Sequence, residues 1–418
     1  MTATIVIGAG IIGTTTALYL ARQGLEVTVI ERRDAAGLET SFANGGMLAA
    51  NCTLPWSSPG TPGHLLRWLG KEEAPLLLRP RAIPAMAGWG LRFLANCRAA
   101  KYRQTSATLT AFGQKSLAEM DALLAENVVQ ADIWRGGFLQ LHKGPGAKAE
   151  AEAAARFLEG MGAEILRLDA AGCVALEPTL APVADTIGAG LLLKKDAWGD
   201  AQRFAAAAEQ AATRAGARFR FGDTVTRIEL DRGKMAAVHV GAERIPAERV
   251  VICAGPWSAE LTRTHGIRLP IAPVKGYSIT LMKDDIGFLP RRPIVDDFEH
   301  VVATPLGDRL RVAGTVEFDN YDRTVRDGRI TNLVNGLRKL YPDLKMPAEI
   351  NAWCGLRPMA ADGLPVIDAT GIGGLYVNTG HGAIGWTLAC SSAALITDIV
   401  TGQAAPGSSP FRLGRSVW

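Results

Sequence analysis

No two cysteines in this 418-residue chain stand in a CxxC spacing; its six, at 52, 97, 173, 253, 354 and 390, are scattered singly. A zinc or iron–sulfur site built on clustered thiolates is therefore not expected, and no metal is predicted. The net charge is only +4 and no long Lys/Arg run occurs, which removes the electrostatic footprint of a nucleic-acid partner. Internal repeats and low-complexity tracts are also missing. Little room precedes the first apolar run for a signal peptide, so a reduced, cytoplasmic setting is the expectation. One apolar run, Gly382 to Val400, approaches the length of a bilayer span. It carries Asp398 and no aromatic belt, so a buried helix is expected there and no membrane span.

What is present begins at the N-terminus. Ile5-Val6-Ile7 reads as a buried parallel strand, Gly8-Ala9-Gly10-Ile11-Ile12-Gly13 as a turn, and the following residues to Gly24 as a helix. A second strand, Val27 to Ile30, ends on Glu31. Gly8 permits the tight turn, Gly10 lets a pyrophosphate approach the backbone, and Gly13 lets helix and strand pack closely. The helix N-terminus favours the anion, and Glu31 stands where a carboxylate meets ribose hydroxyls. The unit predicts dinucleotide binding, but its spacing does not separate FAD from NAD.

At 418 residues the chain is too long for one small core, and two domains are expected. Residues 38–48 form a small, glycine-rich loop suited to a flat ring, or an ordinary surface loop. Prolines break up the stretch after Asn51, and a helix is predicted over about 105–126. A strand follows at 138–142, then a helix at 147–162 and a short strand at 191–193. Asp196 to Asp200 reads as a turn capping a helix at 201–214. A strand at 218–221 precedes a meander of 225–230 and 236–240, then a buried strand at 249–253. Strands at 277–281, 301–304 and 310–313 predict an antiparallel sheet, and a helix covers about 329–340. The segment 353–358 leads into a strand at 375–378, a glycine turn at 379–382 and the long apolar helix. The predicted class is α/β: a discontinuous FAD- or NAD-binding domain (1–55, 196–265, 351–418) and a substrate domain (56–195, 266–350).

Six motifs carry a resemblance: GAGIIG with Glu31, LETSFANGGML at 38–48, PWSSPG at 55–60, VKGYSITL at 274–281, WCGLRPMAADGLPVI at 353–367 and NTGHGAIGWTLAC at 378–390. Together they resemble the D-amino acid oxidase-like FAD-dependent oxidoreductases over nearly the whole chain, and within them the bacterial D-amino acid dehydrogenase small subunits. The resemblance chooses FAD. It implies a glutathione-reductase-like (Rossmann-type) FAD domain and an antiparallel-sheet substrate domain. Gly8, Gly10, Ile11, Ile12 and Gly13 would hold the pyrophosphate, and Glu31 and Arg32 the adenosine side. Thr40, Ser41, Asn44, Gly45, Gly46, Met47 and Leu48 would line the diphosphate and flavin ring. Val225 would meet adenine through its backbone, with Ala254, Gly255 and Trp257 closing the other side. Gly380, His381, Gly382, Ala383, Ile384 and Gly385, with Trp386, would set a helix N-terminus at the flavin N1–C2 edge.

The resemblance also names catalytic candidates. Arg357 would clamp a substrate carboxylate with its guanidinium fork; alone, such an arginine is as readily a structural salt bridge. Tyr277 would offer a hydroxyl to the same carboxylate, or be a core aromatic. His381 would line the pocket, or cap a turn. Cys354 is a position where covalent flavin attachment stays open. The implied reaction is oxidation of a D-amino acid, with hydride passing from Cα to the flavin and the imine hydrolysing to a 2-oxo acid and ammonia. The segment Asp296-Asp297-Phe298-Glu299-His300 departs from a broad-specificity pattern. A narrower D-proline or cis-4-hydroxy-D-proline dehydrogenase, a glycine/sarcosine-type oxidase, a flavin subunit of a larger electron-transfer complex and a non-catalytic dinucleotide-binding protein therefore remain alternatives. The implied electron acceptor is quinone-linked, or O2, with a possible partner subunit and peripheral attachment to the inner face of the cytoplasmic membrane.

Overall fold

A computed structural model describes residues 3–68 and 70–415. Its first layer is a six-stranded sheet in the order Arg218–Phe221, Glu26–Glu31, Ala3–Ile7, Arg249–Ile252, Leu375–Thr379, Val366–Ala369. All neighbours pair in parallel except the last, which is antiparallel. Strand alternation divides its side chains between two cores. Val6, Val29 and Val251 meet the helices Ile11–Arg22, Ala201–Arg214 and Ala389–Thr401. Ile5, Ile7, Val250 and Ile252 face a meander of three strands, Val225–Asp231, Lys234–Val240 and Glu243–Pro246. The third of these was not anticipated. Asp200 caps its helix as expected, accepting from the Gln202 and Arg203 amides.

The second layer is a nine-stranded, mostly antiparallel sheet. Its ordered run begins Asn351–Ala360, Ile271–Met282, Arg309–Phe318, Val301–Leu306 and continues through Ile294–Asp296 to Phe138–Lys143, Ile187–Leu193 and Ile165–Leu168. The helix Asp327–Leu340 covers one face through Leu333, Leu337 and Leu340, packing on Tyr277, Ile279 and Val312. The other face turns toward the glycine turn of the first layer.

Three readings change. Residues 196–200 are not simply a turn: Ala197–Gly199 is a strand bridging Met47–Leu48 and Ile133–Arg135. Asn351–Ala360 is no mere lead-in but a full strand on the antiparallel sheet, so a division at 350/351 cuts that sheet. The apolar run from Gly382 is not one helix. A single 3-10 turn, Gly382–Ile384, precedes the helix Ala389–Thr401. Gly382 has φ +58° and Gly380 φ +82°, which a regular helix does not accept. No helix among the described residues is long and apolar enough to cross a membrane.

Candidate active site

The glycine turn is built by what a side chain would hit. Gly8 has φ +102°, and a Cβ there would lie 2.8 Å from the Cys253 carbonyl oxygen. A Cβ on Gly13 would lie 1.8 Å from the Gly8 carbonyl, so only glycine lets the helix sit on its own turn. The helix Ile11–Arg22 has Gly10 as its cap, with no capping side chain and no acid in the first turn. Its positive end is left for an anion, apart from the Ile11 amide, which donates to Ser41 Oγ at 3.0 Å. Glu31 accepts from the Ala9 amide at 2.6 Å and the Arg33 amide at 2.8 Å. Its carboxylate thus ties the strand end to the turn and still faces the cavity.

That cavity holds about 850 Å³ and takes in Gly8, Gly10, Ile11, Ile12 and Glu31 at one part of its wall. Val225, Ala254, Gly255 and Trp257 form another part, with Arg32 stacked on the Trp257 ring, 3.7 Å from its centroid. Thr40, Ser41, Asn44 and Gly45 line it further along, as do His381, Gly382, Ala383 and Gly385. Other expected residues stand elsewhere. Gly13 lies behind the turn, and Gly46 and Met47 line a neighbouring cavity. Leu48 is buried in strand pairing, and Gly380 and Ile384 are not on the cavity wall. The edge expected to carry a helix N-terminus is a 3-10 turn; the helix starts deeper, at the buried Ala389.

The loop at 40–46 belongs to the first layer by sequence but is fastened to the second. Thr40 Oγ1 donates to the Leu356 carbonyl at 2.6 Å, and Ser278 Oγ to the Ala43 carbonyl at 2.7 Å. Thr304 Oγ1 donates to the Gly45 carbonyl at 2.7 Å, and Arg311 Nη1 to the Asn44 carbonyl at 3.1 Å. Burial lowers the Arg311 guanidinium to about 10, and it stays cationic at neutral pH.

Arg357 stands opposite Val274 on the paired strands, on the sheet face that looks into the cavity. Its Cζ lies 5.6 Å from the Trp56 ring centroid, and no carboxylate among the described residues pairs with it. Burial pulls this guanidinium down to about 10 without discharging it. It lies flat over Gly276, where a Cβ would come within 2.5 Å of Cζ. Gly276 was missed in the sequence. Its signal was there in the KGY motif, but it needed the strand register to be read.

Tyr277 is one residue along and points to the other face. Its hydroxyl donates to Glu317, which also meets Lys275, Arg79 and Arg326. Burial would raise the Glu317 carboxyl, but bonds from Tyr277, Arg79 and Lys275 hold it below the ordinary range. The Tyr277 hydroxyl is therefore committed to a buried ion-pair cluster and not free for a carboxylate beside Arg357. Cys354 shares that rear face, opposite Tyr277, and donates to the Arg323 carbonyl. His381 is buried, with Nε2 2.9 Å from Ser392 Oγ, and burial drops its imidazole to about 3, so it is neutral.

A second cavity of about 1020 Å³ adjoins the first. Asn44, Gly45, Ala313, Arg357, Ala383 and Trp386 border both. The buried Trp386 Nε1 has no hydrogen-bond partner among the described residues. Trp56, Asp297 and His300 lie on the second wall. His300 adopts φ +55°, the left-handed region, in the segment 296–300 singled out above.

The residues present fit FAD. A side-chain-free cradle at a helix N-terminus, a carboxylate on the cavity wall, a cavity of about 850 Å³ and an indole donor with no partner among the described residues are what the dinucleotide and its ring need. A family model described as FAD dependent oxidoreductase matches residues 3–399. The D-amino acid dehydrogenase of Dechloromonas aromatica (strain RCB) is 38% identical over 412 residues, 97% of this chain and 99% of that one. That of Methylobacterium sp. (strain 4-46) is 38% identical, covering 96% of this chain and 95% of its own. Among solved structures, glycine oxidase from Geobacillus kaustophilus superposes with TM-score 0.74 at 24% identity over the whole of both chains. L-proline dehydrogenase from P.horikoshii superposes with TM-score 0.72 at 16% identity, over 98% of this chain and 95% of that chain. At such identities the structures speak for the fold alone. With the family match spanning nearly all of its length and the cradle intact, this chain belongs to the FAD-dependent oxidoreductases.

Proposed function

We propose that this protein oxidises D-amino acids to imino acids, which hydrolyse in water to 2-oxo acids and ammonia. The observation that carries the reading is Arg357: a buried cation that no carboxylate among the described residues pairs with, set where the cofactor cavity meets a second cavity. Bound FAD supplies the hydride-accepting ring. The chain's residues do the rest. Arg357 grips both carboxylate oxygens, which fixes Cα relative to the wall formed by Asn44, Gly45 and Ala383. Gly276 keeps the space the guanidinium needs. The substrate amine binds neutral, so no side-chain base is required. His381, neutral and bonded to Ser392, shapes the cavity without adding charge. Trp56 closes the cavity beside Arg357 and sheds water from the ion pair.

The choice of D over L isomers is supported by the full-length relatives named D-amino acid dehydrogenase. Structures of this fold are titled for glycine, L-proline and L-amino acid enzymes, so the fold does not choose. The reading includes an external acceptor, quinone-linked or O2, and peripheral attachment to a membrane. The test is anaerobic mixing with D- and L-amino acids, including D-alanine, D-proline and cis-4-hydroxy-D-proline, while flavin absorbance is followed. Bleaching by D isomers alone is expected. Bleaching by L isomers, or none at all with flavin bound, overturns the assignment. Re-oxidation in air against re-oxidation by a soluble quinone then identifies the acceptor.

A further inference from the structure

The helix Ile83–Asn96 is apolar on both sides. Its inner side is accounted for: Met86, Trp89 and Phe93 pack toward Phe318 and Met359, and Trp89 Nε1 donates to the Met359 carbonyl at 2.9 Å. Its outer side carries Ile83, Ala87, Leu91 and Leu94, spaced by four, four and three residues, which places them on one stripe. All four are exposed. Ile83 is 47%, Leu91 63% and Leu94 44% accessible, three of the eight large apolar residues found exposed among the described residues. Pro84 extends the stripe, and Arg92, whose Nη1 donates to the Gly88 carbonyl at 3.3 Å, borders it on one flank. An outward apolar stripe of this length on a helix already packed from within has no explanation in the core.

Charge around it is one-sided. From Ala74 to Ala118 the chain has seven Lys and Arg and no Asp or Glu, in a protein whose net charge is only +4. Arg79 and Arg81 are used in ion pairs with Glu317 and Asp319. Arg98 and Arg103 follow Leu94 by four and nine residues in the sequence, the second on the next helix, Ala99–Ala125; both are exposed and pair with no acid among the described residues. Glu72 and Glu73 are the nearest acids in sequence, and Glu72 is paired with Arg79.

We propose that the outer face of Ile83–Asn96 lies in the interfacial plane of an anionic lipid bilayer, with Ile83, Leu91 and Leu94 in the acyl boundary and Arg98 and Arg103 on the headgroups. An apolar stripe flanked by cations is the composition of such in-plane helices, and anionic headgroups match the acid-free stretch. A second copy of this chain would oppose the same cations to each other. The helix spans no membrane; it lies on one. Ile83, Leu91 and Leu94 also rim the second cavity, so a docked bilayer lies against its mouth.

The test is sedimentation of the purified holoprotein with vesicles of phosphatidylcholine containing phosphatidylglycerol, and of phosphatidylcholine alone. Pelleting with the anionic vesicles at low salt, weakening at high salt, is expected. L91E/L94E should abolish it. R98A/R103A, at exposed positions, should weaken partitioning about thirtyfold, at roughly 1 kcal/mol for each cation near the surface. Circular dichroism and the flavin spectrum report whether each variant is folded. If L91E/L94E is not folded, R98A/R103A decides alone. Absence of pelleting, or equal pelleting by folded variants, overturns the proposal. So does a concentration-dependent dimer that L91E/L94E dissociates, which would make a second copy the occupant. No substrate is used, so failure here leaves the oxidation reading standing.

Discussion

Replacing Arg357 with methionine separates a substrate clamp from a structural salt bridge, because the two readings predict opposite signs. Methionine approximates the apolar stem and removes the guanidinium with its charge and donors. For substrate binding, the carboxylate loses a bidentate, desolvated partner. Breaking such a pair costs about 3–5 kcal/mol, two to three and a half decades in kcat/KM. For the free enzyme, the change removes a buried cation that no carboxylate among the described residues balances. Its descent from 12.5 to about 10 sets the upper limit of that relief at about 3 kcal/mol, and partial access to the cavity makes about 1–2 kcal/mol a fair expectation. R357M should therefore melt a few degrees higher than the parent while its flavin bleaches only at far higher D-amino acid concentration. The assays are a thermal melt followed by flavin fluorescence and an anaerobic titration of the bleaching rate. A structural salt bridge would give a lower melting temperature with KM intact. That result, or an unchanged KM with flavin bound, refutes the clamp.

G276A should raise KM without altering charge, since the new methyl would stand 2.5 Å from Arg357 Cζ and the guanidinium must leave its place; bleaching titrations measure it. Y277F should leave KM unchanged and cost about 1–2 kcal/mol in denaturant unfolding, because Glu317 loses one of its donors. Asp196 is buried, and burial raises its carboxyl to about 7 although Asn51 donates to it twice. The folded state then holds a proton that the unfolded chain, titrating near 3.8, has already released. Its contribution to stability is fully present below pH 3.8 and declines as pH rises to about 7. D196N should flatten that part of the melting-temperature profile between about pH 4 and 7; an unaltered profile contradicts the assignment.

What could be read from the residues was whatever is settled locally. The glycine turn, its helix and the acid that follows are one continuous stretch, and Gly8 and Gly13 are demanded by atoms of the adjacent strand and of the turn itself. Asp200 was legible as a cap for the same reason. Tyr277 stands in the sequence between a substrate donor and a core aromatic, because its role depends on which way a strand faces. Asn351–Ala360 was not recognised as the partner strand, so nothing showed that Arg357 and Gly276 share one face and Tyr277 and Cys354 the other. Residues 382–388 read as helix on hydrophobicity alone; the left-handed Gly380 and Gly382 override it. The strand Ala197–Gly199 is three residues long and exists only through distant partners at 47–48 and 133–135, which no local pattern reports.

The four side chains that fasten residues 40–45 to the antiparallel sheet bear on how such enzymes can be re-engineered. Three of the four, Ser278, Thr304 and Arg311, come from the sheet, and each donates to a main-chain carbonyl of the loop. Main-chain acceptors do not depend on the identity of the loop residue, only on its path. A chimera that imports the sheet from a relative can keep this loop's sequence, provided the imported sheet brings hydroxyls and a guanidinium at the same places. One that lacks them would leave this stretch of the cavity wall unanchored, and the graft is expected to lose its flavin before its specificity can be assayed.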